Sequence, residues 1–173
     1  MHDVSNPIRA DVNLDLENVV FLVVDDNKFM RTILKGLLHS FGAKQVIEAD
    51  DGASALKELQ ASAIDIVITD LMMDPLDGFD LTRLIRTSED SRNPYVPIIT
   101  ISGHTETHRV QEARDAGVNE FLAKPISATA LFSRIYAVIN QNREFVKSRN
   151  YFGPDRRRSK IPWHGKERRK DSE

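Results

Sequence analysis

The chain of 173 residues contains no cysteine. Disulfides, thiolate metal sites and cysteine nucleophiles are therefore excluded. No apolar run approaches the roughly 20 residues that span a bilayer. Residues 1–18 carry no hydrophobic core of the signal-peptide kind. The expectation is a soluble, cytoplasmic chain with no transmembrane segment. There is no internal repeat, and no glycine-rich phosphate loop or flavin cue supports a small-molecule enzyme. What is present is ordinary for a globular protein: 40% hydrophobic and 29% charged residues, in a length sufficient for one domain plus extra segments.

The net charge of −2 conceals a division. Residues 143–173 hold 11 Lys/Arg against 5 Asp/Glu, and the preceding part holds 13 against 21. An acidic domain is followed by a basic tail, and the two have different partners in prospect.

Hydrophobic periodicity divides the acidic part into alternating elements. Val19–Val24, Val46–Ala49, Ile64–Thr69, Pro97–Ile101 and a short run around Phe121 and Leu122 read as strands. The longer runs are too continuously apolar to face water on either side, as in a parallel sheet. Between them lie helical stripes. The first holds Met30, Ile33, Leu34, Leu37, Leu38 and Phe41, with Gly42 as a stop. Later ones centre on Leu56, Leu81, Ala113 and Leu131, the last capped by Ser127. Five strands alternating with five helices predict a parallel sheet covered on both faces. Residues 1–18 read as an N-terminal arm with Leu14 and Leu16 on the domain edge. Residues 19–142 form the domain. The last helix is expected to reach about Lys147, and the 143–173 tail is expected to be flexible or partner-docking, with no core of its own.

The strand ends carry the chemistry. Val19–Val24 runs into Asp25-Asp26, Ile66–Thr69 into Asp70, Pro97–Ile101 into Ser102, and Glu120–Ala123 into Lys124-Pro125. In an open α/β sheet, sites gather at the carboxyl ends of the strands. Three acids there repel one another by about 4 kcal/mol per pair at about 4 Å and an effective dielectric near 20. A divalent cation relieves this, and Mg²⁺ (or Mn²⁺) prefers such hard oxygen ligands. Asp70 is the candidate carboxylate nucleophile, with Ser102 and Lys124 placed to hold a transferred phosphoryl group. Taken singly, each has a plainer reading: Asp25-Asp26 as a helix cap, Asp70 as a turn residue, Lys124 as a solvated charge.

In this order and context the residues resemble the receiver domain of two-component response regulators, over Val19 to about Asn142. The spacing from Asp70 to the Asp77-Gly78 pair fits the same family. The resemblance implies a flavodoxin-like, doubly wound five-stranded sheet of order 2-1-3-4-5. It implies that Asp70 is phosphorylated and that Asp25, Asp26, Asp70 and the Met72 backbone carbonyl bind the metal. Ser102 would be the switch hydroxyl, Phe121 the aromatic that turns with it, and Lys124 the phosphate contact, its bond to Pro125 being cis. Met72, Gly103 and His104 would tune access to the phosphoryl group. The family usually has Pro where Asp74 stands; here Pro75 follows. The implied partners are a histidine kinase or phosphotransfer protein and an unidentified output protein. The implied catalysis is confined to its own aspartyl phosphorylation and dephosphorylation.

The tail has too few residues for a recognisable DNA-binding domain. Its Tyr151, Phe152, Arg156, Arg157, Arg158 and Trp163 form a basic, aromatic-interleaved recognition candidate for an acidic partner, nucleic acid or anionic surface. The alternatives are a solvated extension and folding back on the acidic domain.

Overall fold

The computed structural model describes residues 14–157 except 142. Its elements run β1 (Val20–Val24), α1 (Lys28–Ser40), β2 (Gln45–Ala49), α2 (Gly52–Ala61), β3 (Ile66–Asp70), α3 (Gly78–Thr87), β4 (Ile98–Ser102), α4 (Thr107–Ala116), β5 (Glu120–Ala123) and α5 (Ala128–Asn140). A hairpin of β6 (Phe145–Ser148) and β7 (Tyr151–Pro154) follows. The main sheet is parallel in the order β2-β1-β3-β4-β5, as expected.

Alternation along each buried strand splits the core into two layers. Phe21, Val23, Ile66, Ile68, Ile99 and Ile101 point to one face, where Leu34 and Leu38 of α1 and Leu131 and Ile135 of α5 cover them. Leu22, Val24, Val67 and Ile98 point to the other, against Ala55 of α2 and Leu81 and Ile85 of α3. Leu16 is buried in the first layer and Leu14 packs beside it, so this end of the N-terminal arm belongs to the domain.

Side chains stop the helices where the sequence supplies them. Asn27 accepts from the Phe29 and Met30 N–H groups, Asp51 forms a capping box with Ser54, and Asp77 and Ser127 cap α3 and α5. Gly117 closes α4 with φ of 104°, in the left-handed region. Among the described residues no helix is long and apolar enough to cross a membrane.

Two expectations need correction. The last helix ends at Asn140, not near Lys147; residues 145–148 are a strand instead. The tail, expected to be flexible or partner-docking, is in part seated on the domain itself, because β7 packs against α3 and α4. The physical reason is aromatic. Phe145 and Phe152 meet the Tyr95 ring at centroid distances of 5.0 and 5.2 Å, tilted toward edge-on. The domain boundary placed at 142 therefore cuts a folded unit that continues to at least Pro154. The remaining differences are small: β3 and β4 each end one residue later than read, so that Asp70 and Ser102 are the last residues of their strands.

Truncating Ile68, which is fully buried in the first layer, should cost about 2–5 kcal/mol as Ile68→Ala. Ile139→Ala, on the exposed side of α5, should change stability by no more than about 0.5 kcal/mol. Urea unfolding of the two variants checks this contrast.

Candidate functional site

Parallel register assembles the site. Val24 pairs with Thr69, Asp70 with Ile101, and Ser102 with Ala123. The chain therefore leaves the sheet at Asp25, Asp70, Ser102 and Lys124 along a single rim. Ligating oxygens of Asp25, Asp26 and Asp70 lie within 4.8 Å of one another. Lys124 Nζ stands 3.3 Å from Asp70 Oδ2 and 3.6 Å from Asp25 Oδ2. The Lys124 ammonium thus pairs with two of the three clustered carboxylates.

The acids differ in surroundings. Asp25 is 2% exposed and Asp70 8%, whereas Asp26 is open to solvent. Burial pushes the Asp25 carboxyl above its ordinary value, and the charge on Asp70 adds to this. The Asn27 N–H, donating to Asp25 Oδ1 at 2.8 Å, and Lys124 pull the other way. Three clustered hard oxygen donors, one of them buried against its own ionisation, fit a divalent cation of the magnesium type.

Neighbouring positions carry out narrower tasks. The Met72 N–H reaches toward Asp70 Oδ1 at 3.4 Å, while its side chain is 46% exposed over the rim. Ser102 is fully buried, and its Oγ accepts from the His104 N–H at 3.0 Å. His104 and Gly103 are exposed, and a Cβ on Gly103 would meet nothing within 4 Å. Phe121, opposite Thr100, is half-buried against Ala113, Ala116 and Val118. The peptide bonds before Pro75 and Pro125 are both cis.

Sequence reading missed three contributors. Gly78 brings the start of α3 against the end of β3: a Cβ there would lie 2.2 Å from the Asp70 carbonyl oxygen. Arg31 donates to the Asp25 carbonyl at 2.7 Å. Arg86 is the third, at the opposite end of the sheet. It is 3% exposed and donates to the Pro94, Val96 and Gly117 carbonyls and to Asn119 Oδ1. Its place beside Thr82 and Ile85 on the buried stripe of α3 was the available signal.

The tail candidates divide. Tyr151, Phe152 and Arg156 are turned toward the domain at that opposite end. Arg156 stacks over Tyr151 at 4.3 Å and pairs with Asp115. Arg157 is exposed, and Arg158 and Trp163 lie outside the described residues. Folding back is thus the outcome for the hairpin.

Known proteins resemble this chain over the same span. The model of the response regulator receiver domain matches residues 21–136. Chemotaxis protein CheY-3 of Vibrio cholerae is 36% identical over 119 residues, covering 69% of this chain and 90% of that protein. Chemotaxis protein CheY of Pseudomonas aeruginosa is 35% identical over 120 residues, covering 69% and 95%. Among solved structures, a receiver protein from Pseudomonas putida superposes with a TM-score of 0.61 at 36% identity, covering 68% and 94%. The receiver domain of the histidine kinase CKI1 from Arabidopsis thaliana, complexed with Mg²⁺ and BeF₃⁻, gives 0.60 at 30% identity, covering 69% and 91%.

Asp25 supplies a pH signature. Its folded-state pKa is raised, so its ionised form opposes folding at neutral pH. That penalty fades as pH falls through the raised value toward the ordinary 3.8. Without divalent ions, Asp25→Asn should raise the urea midpoint at pH 7, and the gain should shrink on acidification. Mg²⁺ should stabilise the parent protein and not Asp25→Asn.

Proposed function

The chain belongs to the response regulator receiver domain family, and on that premise we propose that it is a phosphoacceptor switch that works through Asp70. The observation that carries this is the meeting of Asp25, Asp26, Asp70 and Lys124 at one strand-end rim, with Ser102 held beside them by register.

The donor is a phosphohistidine on a histidine kinase or phosphotransfer protein. An Asp70 carboxylate oxygen attacks phosphorus as the N–P bond breaks. The bonding pair leaves on the imidazole nitrogen, and an acyl phosphate remains on Asp70. Asp25, Asp26, Asp70 and the Met72 carbonyl would hold Mg²⁺ or Mn²⁺, which when bound supplies neutralisation of the phosphoryl oxygens. Lys124 exchanges its present carboxylate contacts for the new phosphoryl oxygens. The Ser102 hydroxyl leaves the His104 N–H and donates to the same group. Phe121 follows into the space behind Ser102. The surface around α4, β5 and α5 changes with it, a population shift set by how much better one state binds the phosphoryl group. Met72 and His104, exposed at the rim, tune access of the hydrolytic water. No metabolite substrate is involved, and the output is a cytoplasmic protein contact.

A second reading makes the basic tail the effector and the receiver its gate, for an acidic protein, nucleic acid or anionic surface. The charge division of the chain and the docking of β7 on α4 support it. In that case removing residues 158–173 should abolish output while leaving phosphorylation of Asp70 intact; unaltered output would sink it.

With acetyl phosphate and Mg²⁺ the protein should acquire one phosphoryl group that is labile to alkali and to hydroxylamine, as an acyl phosphate is. Asp70→Asn and chelation of the metal should each abolish it. Ser102→Ala should still accept phosphate but lose most of the phosphorylation-dependent gain in partner binding, about 5-fold or more. Phosphate retained by Asp70→Asn would overturn the assignment.

A further inference from the structure

The β6–β7 hairpin lies beyond the segment that matches the receiver family, which ends at residue 136. It grips the receiver at the end of the sheet opposite Asp70. Phe145 covers the Arg86 guanidinium at 5.1 Å. Backbone also meets backbone: a Cβ on Gly153 would lie 2.9 Å from Gly117 Cα, at the cap of α4. Arg156 pairs with Asp115 in the last turn of the same helix.

Arg86 joins this end of the molecule to the other. Its guanidinium binds the Pro94 and Val96 carbonyls just before β4, and the Gly117 carbonyl and Asn119 side chain just before β5. The first of those strands finishes at Ser102 and the second at Ala123, just before Lys124. The helix that carries Arg86 starts at Gly78, packed on the Asp70 carbonyl. All four acceptors are neutral, so the buried cation leans on the face of Phe145 for further compensation. Lifting the hairpin exposes Arg86 to water and frees the end of α4.

The switch residues are in their resting places while the hairpin is seated. Lys124 holds Asp70 and Asp25, the Ser102 hydroxyl is taken up by the His104 N–H, and Phe121 packs on Ala113 and Ala116 of α4. We infer that the hairpin is a brace on α4 and β5 that stabilises this resting arrangement, so that hairpin docking and phosphoryl binding at Asp70 oppose each other. The inference rests on the phosphoacceptor reading above. Coupling of this kind is reciprocal. Whatever weakens the hairpin tightens the phosphoryl site, and whatever fills the phosphoryl site loosens the hairpin.

Beryllofluoride with Mg²⁺ serves as the probe on the full chain. In the parent protein its addition should speed amide hydrogen exchange across residues 145–154, far from the binding site. Gly153→Val, whose side chain cannot fit against Gly117, should bind the probe about 5-fold or more tightly. A hairpin with only a stabilising role would lower the melting temperature in Gly153→Val and leave the probe affinity unchanged. Equal affinities, or unchanged exchange in the parent protein on saturation, would overturn the brace. Failure of the parent protein to bind the probe at all would overturn the phosphoacceptor reading instead.

Discussion

Everything at the functional end of this molecule follows from one electrostatic imbalance. Parallel register brings three carboxylates to the same rim, where among the described residues the Lys124 ammonium pairs with two of them. Two of the acids are buried, so solvent cannot relieve their mutual repulsion. The rim is therefore unsatisfied until something brings more positive charge, and a phosphoryl group on Asp70 would add to that demand. A sheet that placed these residues for fold stability alone would have put apolar groups there. The surrounding structure fixes their places: β3 and β4 are buried throughout, and Gly78 lets α3 approach the strand that carries Asp70.

The rim was legible in the sequence because its logic is local. Each strand is a short apolar run that ends in a polar residue, and the ends converge once the strands are parallel. Order 2-1-3-4-5 came from family resemblance, not from periodicity. The one-residue extension of β3 and β4 escaped notice because it depends on bonds from neighbouring strands, such as the Lys124 N–H to the Ser102 carbonyl. The closeness of Gly78 to Asp70 was invisible for the same reason: it is a tertiary contact with no periodic trace.

The opposite end leaves a fainter trace in the sequence. Phe145 and Phe152 look like isolated aromatics in a charged tail until Tyr95, some fifty residues earlier, is brought between them. A four-residue strand has too short an alternation to outweigh a helix that already runs to Asn140. Arg86 carries no distinguishing mark in the sequence, because a charged residue beside an apolar stripe more often snorkels to water. Instead it is buried, and burial lowers its pKa to about 10, still high enough to keep it charged at neutral pH.

The contact between Gly117 and Gly153 binds two distant positions into one. Gly117 is held in left-handed backbone geometry under the Phe152 carbonyl and the Arg86 side chain, and Gly153 lies on it with no room for a side chain. Neither residue can change without the other yielding ground. In descendants of this chain the pair should be inherited together or discarded together, and loss of the second glycine should accompany decay of the whole C-terminal appendage.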